Sequence, residues 1–240
     1  MSKSKRNVVA PETIVETYGA DTARWFVLSD TPPDRDIEWT EAGIEGAWRF
    51  TQRIWRIVTE ASAKAGAIGQ DPAGNEQGSS RDLRRATHKA IQAVTADIDA
   101  FHFNRAVARM YEFVNALQSL LPKPDSYPAV IREALEVLVR LIAPMMPHLA
   151  EECWAHLGHE DLVADASWPG FDEALTRDDS VTVGVQINGK RRAEIDLPID
   201  APEDLVREMV LAQDRIVQLL EGKPVRKVIV VPNRIVNVVV

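Results

Sequence analysis

A single cysteine in 240 residues, Cys153, excludes an internal disulfide and leaves too few thiols for a Cys-x-x-Cys metal site. That usage suits a reducing cytoplasm. No uninterrupted apolar run reaches the ~18 residues that a membrane span needs, and the start lacks the apolar core of a secretory signal, so no membrane partner is expected. Neither a Gly-x-x-x-x-Gly-Lys loop nor a Gly-x-Gly-x-x-Gly fingerprint occurs, so the chain holds no complete nucleotide site of its own. His148, His156 and His159 lie near several acids and Cys153, but the first two are eight residues apart and no His-x-x-Glu-His pattern is present. No metal is expected, and these histidines read as solvated or helix-capping. From Ser180 to the end there is no Phe, Tyr or Trp, which removes base stacking from that segment's options.

Charge of one sign is concentrated. The formal net charge is −8, yet residues 148–180 alone hold nine acids against one base, Arg177, so the rest sums to zero. From Gly184 onward nine bases face eight acids, and the first six residues carry three bases and no acid. An acidic total therefore does not exclude RNA binding through a basic face.

What is present is mostly helical periodicity. Pro11 suits a first helical turn, Gly19 a stop and Asp21 the N-cap of a second short helix through Trp25 and Leu28. Thr31-Pro32-Pro33-Asp34 breaks that helix, and Thr40 caps a long one whose Ile44, Ala47, Thr51, Ile54, Val58 and Ala61 recur every three or four residues. Further stripes run through Leu83, Ala86, Ala90, Ile91, Val94 and Ile98; Val107, Met110, Val114, Leu117 and Leu121; Ile131, Leu135, Leu138 and Ile142; and, from Pro147, Leu149, Ala150, Cys153 and Trp154. They read as the packing faces of a helix bundle.

After Trp168-Pro169 the period becomes two. Val181, Val183, Val185 and Ile187 alternate, Asn188-Gly189 signals a type I′ turn, and Ala193, Ile195 and Leu197 follow. Asp200 with Glu203 reads as a capping box for one helix buried through Leu205, Met209, Ala212, Ile216 and Leu219, and two strands flank Pro232-Asn233. The expected fold is mainly α: residues 1–66 a loop and helical stem, 67–80 an exposed connection, 81–160 a helix bundle, 161–179 a linker, and 180–240 a small α+β domain of ββαββ order.

Two groups of residues invite chemistry. Met1, Ser2, Lys3 and Ser4 offer hydroxyls and an ammonium that suit nucleotide phosphates, with Lys3 as a mobile electrostatic clamp on charge developing there. Lys190, Arg191 and Arg192 place three cations at the hairpin tip, and Lys223, Arg226, Lys227 and Arg234 belong to the same small domain. Joined on one face, they would contact an RNA backbone or its overall shape, without base reading.

The order of segments resembles the bacterial leucyl-tRNA synthetase family of class I over nearly all 240 residues. Met1-Ser2-Lys3-Ser4 is similar to the family's Lys-Met-Ser-Lys-Ser loop without its first Lys, so Met1 reads as a cut point. Arg6 stands where many relatives have Gly. The resemblance continues through Tyr18-Gly19-Ala20-Asp21, Asp36-Ile37-Glu38-Trp39, Glu45-Gly46-Ala47-Trp48-Arg49-Phe50, Phe103-Asn104, Ala143-Pro144-Met145-Met146-Pro147-His148 and Val185-Gln186-Ile187-Asn188-Gly189-Lys190. It implies that residues 81–160 are an anticodon-binding-type bundle that packs along tRNA(Leu), and that 180–240 reaches the tRNA elbow. It also implies ATP with Mg²⁺ in the parent enzyme, Lys3 as its catalytic lysine, and upstream catalytic and editing domains as partners. The fragment alone is expected to bind no ATP and to be inactive. Two other readings stay open: a stand-alone RNA-binding or assembly module without catalysis, and a helix bundle that binds only protein.

Overall fold

The computed structural model describes residues 10–74, 77–177, 179–220 and 222–240. They fall into two compact units, the first ending at Thr176 and the second running Arg177–Val240.

Local chemistry starts and stops the early helices where expected. Pro11, with φ preset by its ring, opens α1 (Pro11–Tyr18), and Gly19 at φ +85° ends it before α2 (Ala20–Asp30). The Thr40 side chain accepts the Gly43 N–H at 3.2 Å and opens α3 (Glu41–Ser62). All six residues of its anticipated stripe are buried, and Phe50 and Ile57 widen it. The bundle follows as α4 (Gly78–Asp99), α5 (Phe103–Leu120), α6 (Pro128–Ile142) and α7 (Pro147–His156), with α4 packed on both α5 and α6. Trp25 of α2 stacks on Phe50 of α3, ring centroids 5.0 Å apart, and Phe50 meets Tyr111 of α5 at 3.9 Å. Stem and bundle thereby share one hydrophobic core.

Several local expectations fail, each because a distant partner decides the outcome. Asp21 does not cap its own helix, whose N-cap is Gly19. Its carboxylate instead accepts the Leu149 N–H at 2.6 Å and meets His148 Nδ1 at 2.8 Å. Leu149 is the third residue of α7, whose N-cap, Met146, offers no side-chain acceptor, so the open amide is satisfied from 128 residues away. Ser79 and Ser80, anticipated in an exposed connection, are buried in the first turn of α4. Ser79 donates its N–H and hydroxyl to the Asp125 carboxylate, and these bonds hold that carboxyl below its ordinary pKa. His159 is not solvated. It lies 3.6 Å above the Trp154 ring at 8°, with Nε2 3.0 Å from Glu136.

The stretch anticipated as a linker is docked as far as Thr176. Glu151 accepts the Val163 and Ala164 N–H groups at 2.8 and 3.0 Å, and Trp168 Nε1 donates to Thr95 at 2.8 Å. The Asp172 N–H donates to His88 Nδ1 at 2.8 Å, and Leu175 of α8 (Glu173–Thr176) is buried.

The second unit is a four-stranded sheet with two helices. Its strands are β1 (Ser180–Ile187), β2 (Lys190–Pro198), β3 (Lys227–Val231) and β4 (Ile235–Val239), in spatial order β2-β1-β4-β3. β1 is antiparallel to β2 and parallel to β4, while β3 and β4 are antiparallel. The single anticipated helix is two, α9 (Glu203–Ala212) and α10 (Asp214–Leu220), because Gln213 is extended at ψ 122° and donates its amide to Glu194 O at 2.9 Å. That break resets the helical phase. Val206, Val210 and Ile216 are buried, whereas Leu205 and Leu219 are each 39% exposed. The capping box is also absent: Pro202 is the N-cap, and Asp200, at φ +56°, pairs with Asn233 through two hydrogen bonds of 3.0 and 2.7 Å.

Asp21→Ala lowers the unfolding free energy of the first unit by about 1–2 kcal/mol, since it strands the Leu149 amide at the helix start. Asp21→Asn, which keeps an acceptor, costs less. Urea denaturation of the two variants measures both.

Candidate nucleic-acid interface

The hairpin that carries the cations is built from the turn outward. Asn188 at φ +48° and Gly189 at φ +80° have the two positive angles that a type I′ turn requires. The tip is tied to β4: Asn188 N–H donates to Val238 O at 2.9 Å, Gly189 N–H to Asn237 Oδ1 at 3.0 Å, and Val240 N–H to Asn188 Oδ1 at 3.2 Å.

Beyond the turn the register shifts. Val185 pairs with Ala193 but Gln186 pairs with Arg191, so Arg192 is the extra residue of a bulge. Its carbonyl accepts from Arg215 Nε at 3.2 Å. Lys190 stands opposite Ile187, and Arg191 lies over Gly184, where there is no side chain to displace it, and pairs with Glu194.

The sheet topology sorts the candidates. Ile187 aligns with Val238, Val238 with Val228, and Lys227 with Val239, while Arg226 N–H donates to Val239 O. Lys190, Arg191 and Arg192 on one outer strand and Arg226 and Lys227 at the start of the other therefore share one end of the sheet, about 14 Å apart across three strand spacings, all exposed. Lys223 is exposed in the turn that leads toward them, its N–H donating to Leu220 O at 2.8 Å. Arg234 is not among them. It sits in the β3–β4 turn at the opposite end, roughly 13 Å away at four strand rises. Met1, Ser2, Lys3 and Ser4 lie outside the described residues.

A second cationic surface went unread in the sequence. Arg49, Arg53 and Arg56 follow one another along the polar face of α3, and Arg56 with Lys64, in the turn after it, lines a cleft of about 540 Å³ shared with α5. Arg53 donates to Asn115 Oδ1 at 2.6 Å and to Gln118. Steps of four, three and eight residues were the available signal, hidden by attention to the apolar face of the same helix. Glu45 and Glu60 lie on that face too, and Glu45 pairs with Arg49.

Elsewhere the described residues offer no group of three His, Cys, Asp or Glu side chains placed to hold a metal. Cys153 is fully buried, and burial, reinforced by Glu152, pushes its thiol up to about 12, which keeps it from acting as a thiolate ligand. No helix among the described residues is long and apolar enough to cross a membrane.

The family described as "Anticodon-binding domain of tRNA ligase" matches residues 80–207, and "tRNA synthetases class I (I, L, M and V)" matches residues 1–40. Over its whole length the chain is 54% identical to the leucine–tRNA ligase of Maricaulis maris and 52% identical to that of Parvibaculum lavamentivorans. The chain belongs to the leucyl-tRNA synthetase family. It spans about 28% of the length of these curated relatives. A solved ternary complex of Agrobacterium radiobacter K84 agnB2 LeuRS with tRNA and LeuAMS is similar over all of this chain and 31% of its own, with TM-score 0.79 and 33% identity. The anticodon-binding match crosses from the first unit through β1, β2 and the first half of α9, so this family's bundle and its following hairpin are matched together.

Asn188→Ala removes both the left-handed turn residue and the acceptor for Val240. It destabilises the second unit by roughly 1–2 kcal/mol, read as faster amide exchange across 185–193 and 236–240, with exchange in α4–α6 unchanged.

Proposed function

We propose that this chain is the tRNA-holding portion of a leucine–tRNA ligase, the enzyme that joins leucine to tRNA(Leu) at the expense of ATP. The full-length similarity to leucine–tRNA ligases carries the reading. The clustering of Lys190, Arg191, Arg192, Arg226 and Lys227 at one sheet end adds a phosphate-binding surface of the right sign. Lys223 belongs beside this group, and Arg234 provides a separate contact further along the RNA. No aromatic ring stands in this unit, so the contacts favour backbone and shape over bases. The polar face of α3 offers a phosphate-binding surface of its own within the first unit.

In the parent enzyme the Met1, Ser2, Lys3, Ser4 loop would meet ATP with its Mg²⁺. The Lys3 ammonium would approach as negative charge spreads over the phosphates during attack by the leucine carboxylate. Catalytic and editing domains elsewhere in the same synthetase are the further partners, and the cytoplasm is where this chemistry belongs. By itself the chain forms no leucyl-adenylate.

Two measurements test the reading. Binding of leucine tRNA, titrated with salt, gives a log–log slope that falls by roughly 0.7–0.9 for each phosphate contact removed by Lys190→Ala, Arg226→Ala or Lys227→Ala. Arg234→Ala lowers the slope independently of those three. Unaltered slopes in all four variants would remove the proposed surface. In the parent enzyme, Lys3→Ala slows ATP–pyrophosphate exchange by about 100-fold while tRNA affinity holds. An unchanged exchange rate would remove Lys3 from catalysis.

A further inference from the structure

Between the end of α6, the start of α7 and the docked segment after it lies a cleft of about 260 Å³. Its walls are largely apolar, formed by Ala143, Pro144, Pro147, Val163 and Ala166, with the Trp168 ring alongside. A cavity of 150 Å³ already admits benzene, so this one accommodates a ring bearing a substituent. Trp168 is held in place, since its indole N–H is committed to Thr95.

Arg140 also lines the cleft. Its Nε donates to the Glu136 carbonyl at 3.3 Å, but no acceptor among the described residues takes a hydrogen bond from its two terminal nitrogens. The acids on its own helix are engaged elsewhere: Glu133 with Arg84 and His88, and Glu136 with Arg132 and His159. Burial lowers the guanidinium's pKa, which marks it as partly desolvated. Neither terminal nitrogen is among the buried, unpartnered side-chain atoms of the described residues, so both stand open to solvent and to a ligand entering the cleft. Glu151 is the acid in the cleft, and both of its oxygens are occupied by the Val163 and Ala164 amides.

We infer that this cleft is a binding site for a small organic anion, a carboxylate on a flat apolar body, with the ring between Trp168 and the proline wall and the carboxylate on the free donors of Arg140. Both halves of such a ligand are needed. A bare anion leaves the apolar walls wet, and a neutral ring leaves the guanidinium unpaired. The site lies wholly within the first unit and shares no residue with the α3 face, and it does not depend on RNA binding.

Indole-3-carboxylate, neutral indole and inorganic phosphate, each titrated into the 240-residue chain by calorimetry and ligand-observed NMR, test the inference. Indole-3-carboxylate binds with a Kd below about 1 mM, and indole and phosphate each bind roughly 10- to 100-fold more weakly. Arg140→Met weakens indole-3-carboxylate to the level of indole while the thermal midpoint is kept, because the charge is removed and the apolar stem along the cleft is retained. Ala166→Leu fills the cleft with Arg140 intact and also abolishes binding. Indole-3-carboxylate binding no better than indole, or with equal affinity in Arg140→Met or in Ala166→Leu, overturns the inference.

Discussion

Asp21 gives up solvent to place its carboxylate on an amide and an imidazole at the start of α7, 128 residues away in the chain. The rest of the first unit depends on this type of bond. Three of its helices, α1, α6 and α7, begin at proline, a residue that presets φ but supplies no side-chain acceptor for the amides that follow. Carboxylates from elsewhere fill such gaps: Asp21 serves α7, Asp125 serves the start of α4, and Glu151 serves the single turn at Val163–Asp165. Each is charge-assisted and joins elements far apart in sequence, so helix termination and tertiary packing are satisfied by the same atoms.

This economy explains which features could be read in advance. The α3 stripe and the Asn188-Gly189 turn were legible because their causes are local: side-chain periodicity in one, two positive φ angles in the other. Asp21 was visible as a helix-start residue, but its beneficiary was not, because capping rules look only three residues ahead. Gln213 defeated the reading of the last helices for a similar reason. Nothing in its composition forbids helix, and the break follows from its bond to Glu194 on β2. The docked segment 161–176 was misread because its acids and prolines suggested solvent, while its anchors, Thr95 and His88, lie on α4.

The candidate RNA surface shows the same divide. The cations were found from composition, but their grouping is a property of topology. With β1 parallel to β4, the hairpin tip and the start of β3 fall at one end of the sheet, and the β3–β4 turn at the other. Had β4 paired antiparallel to β1, Arg234 would have joined Lys190 and the pair Arg226–Lys227 would have been left apart. No reading of spacing along the chain distinguishes these cases.

Two kinds of arginine emerge from this comparison. Those at the surface, such as Arg191 with Glu194 and Arg49 with Glu45, keep local acidic partners that solvent screens, so they can exchange them for phosphates at little cost. Arg140 has no such partner on its terminal nitrogens among the described residues, and partial burial lowers its pKa. A ligand that reaches it therefore meets donors that need not first leave a protein acceptor, beside apolar walls that gain from being covered. The surface cations suit a long, mobile polyanion that must be bound and released, whereas the cleft suits a single small anion held in one orientation.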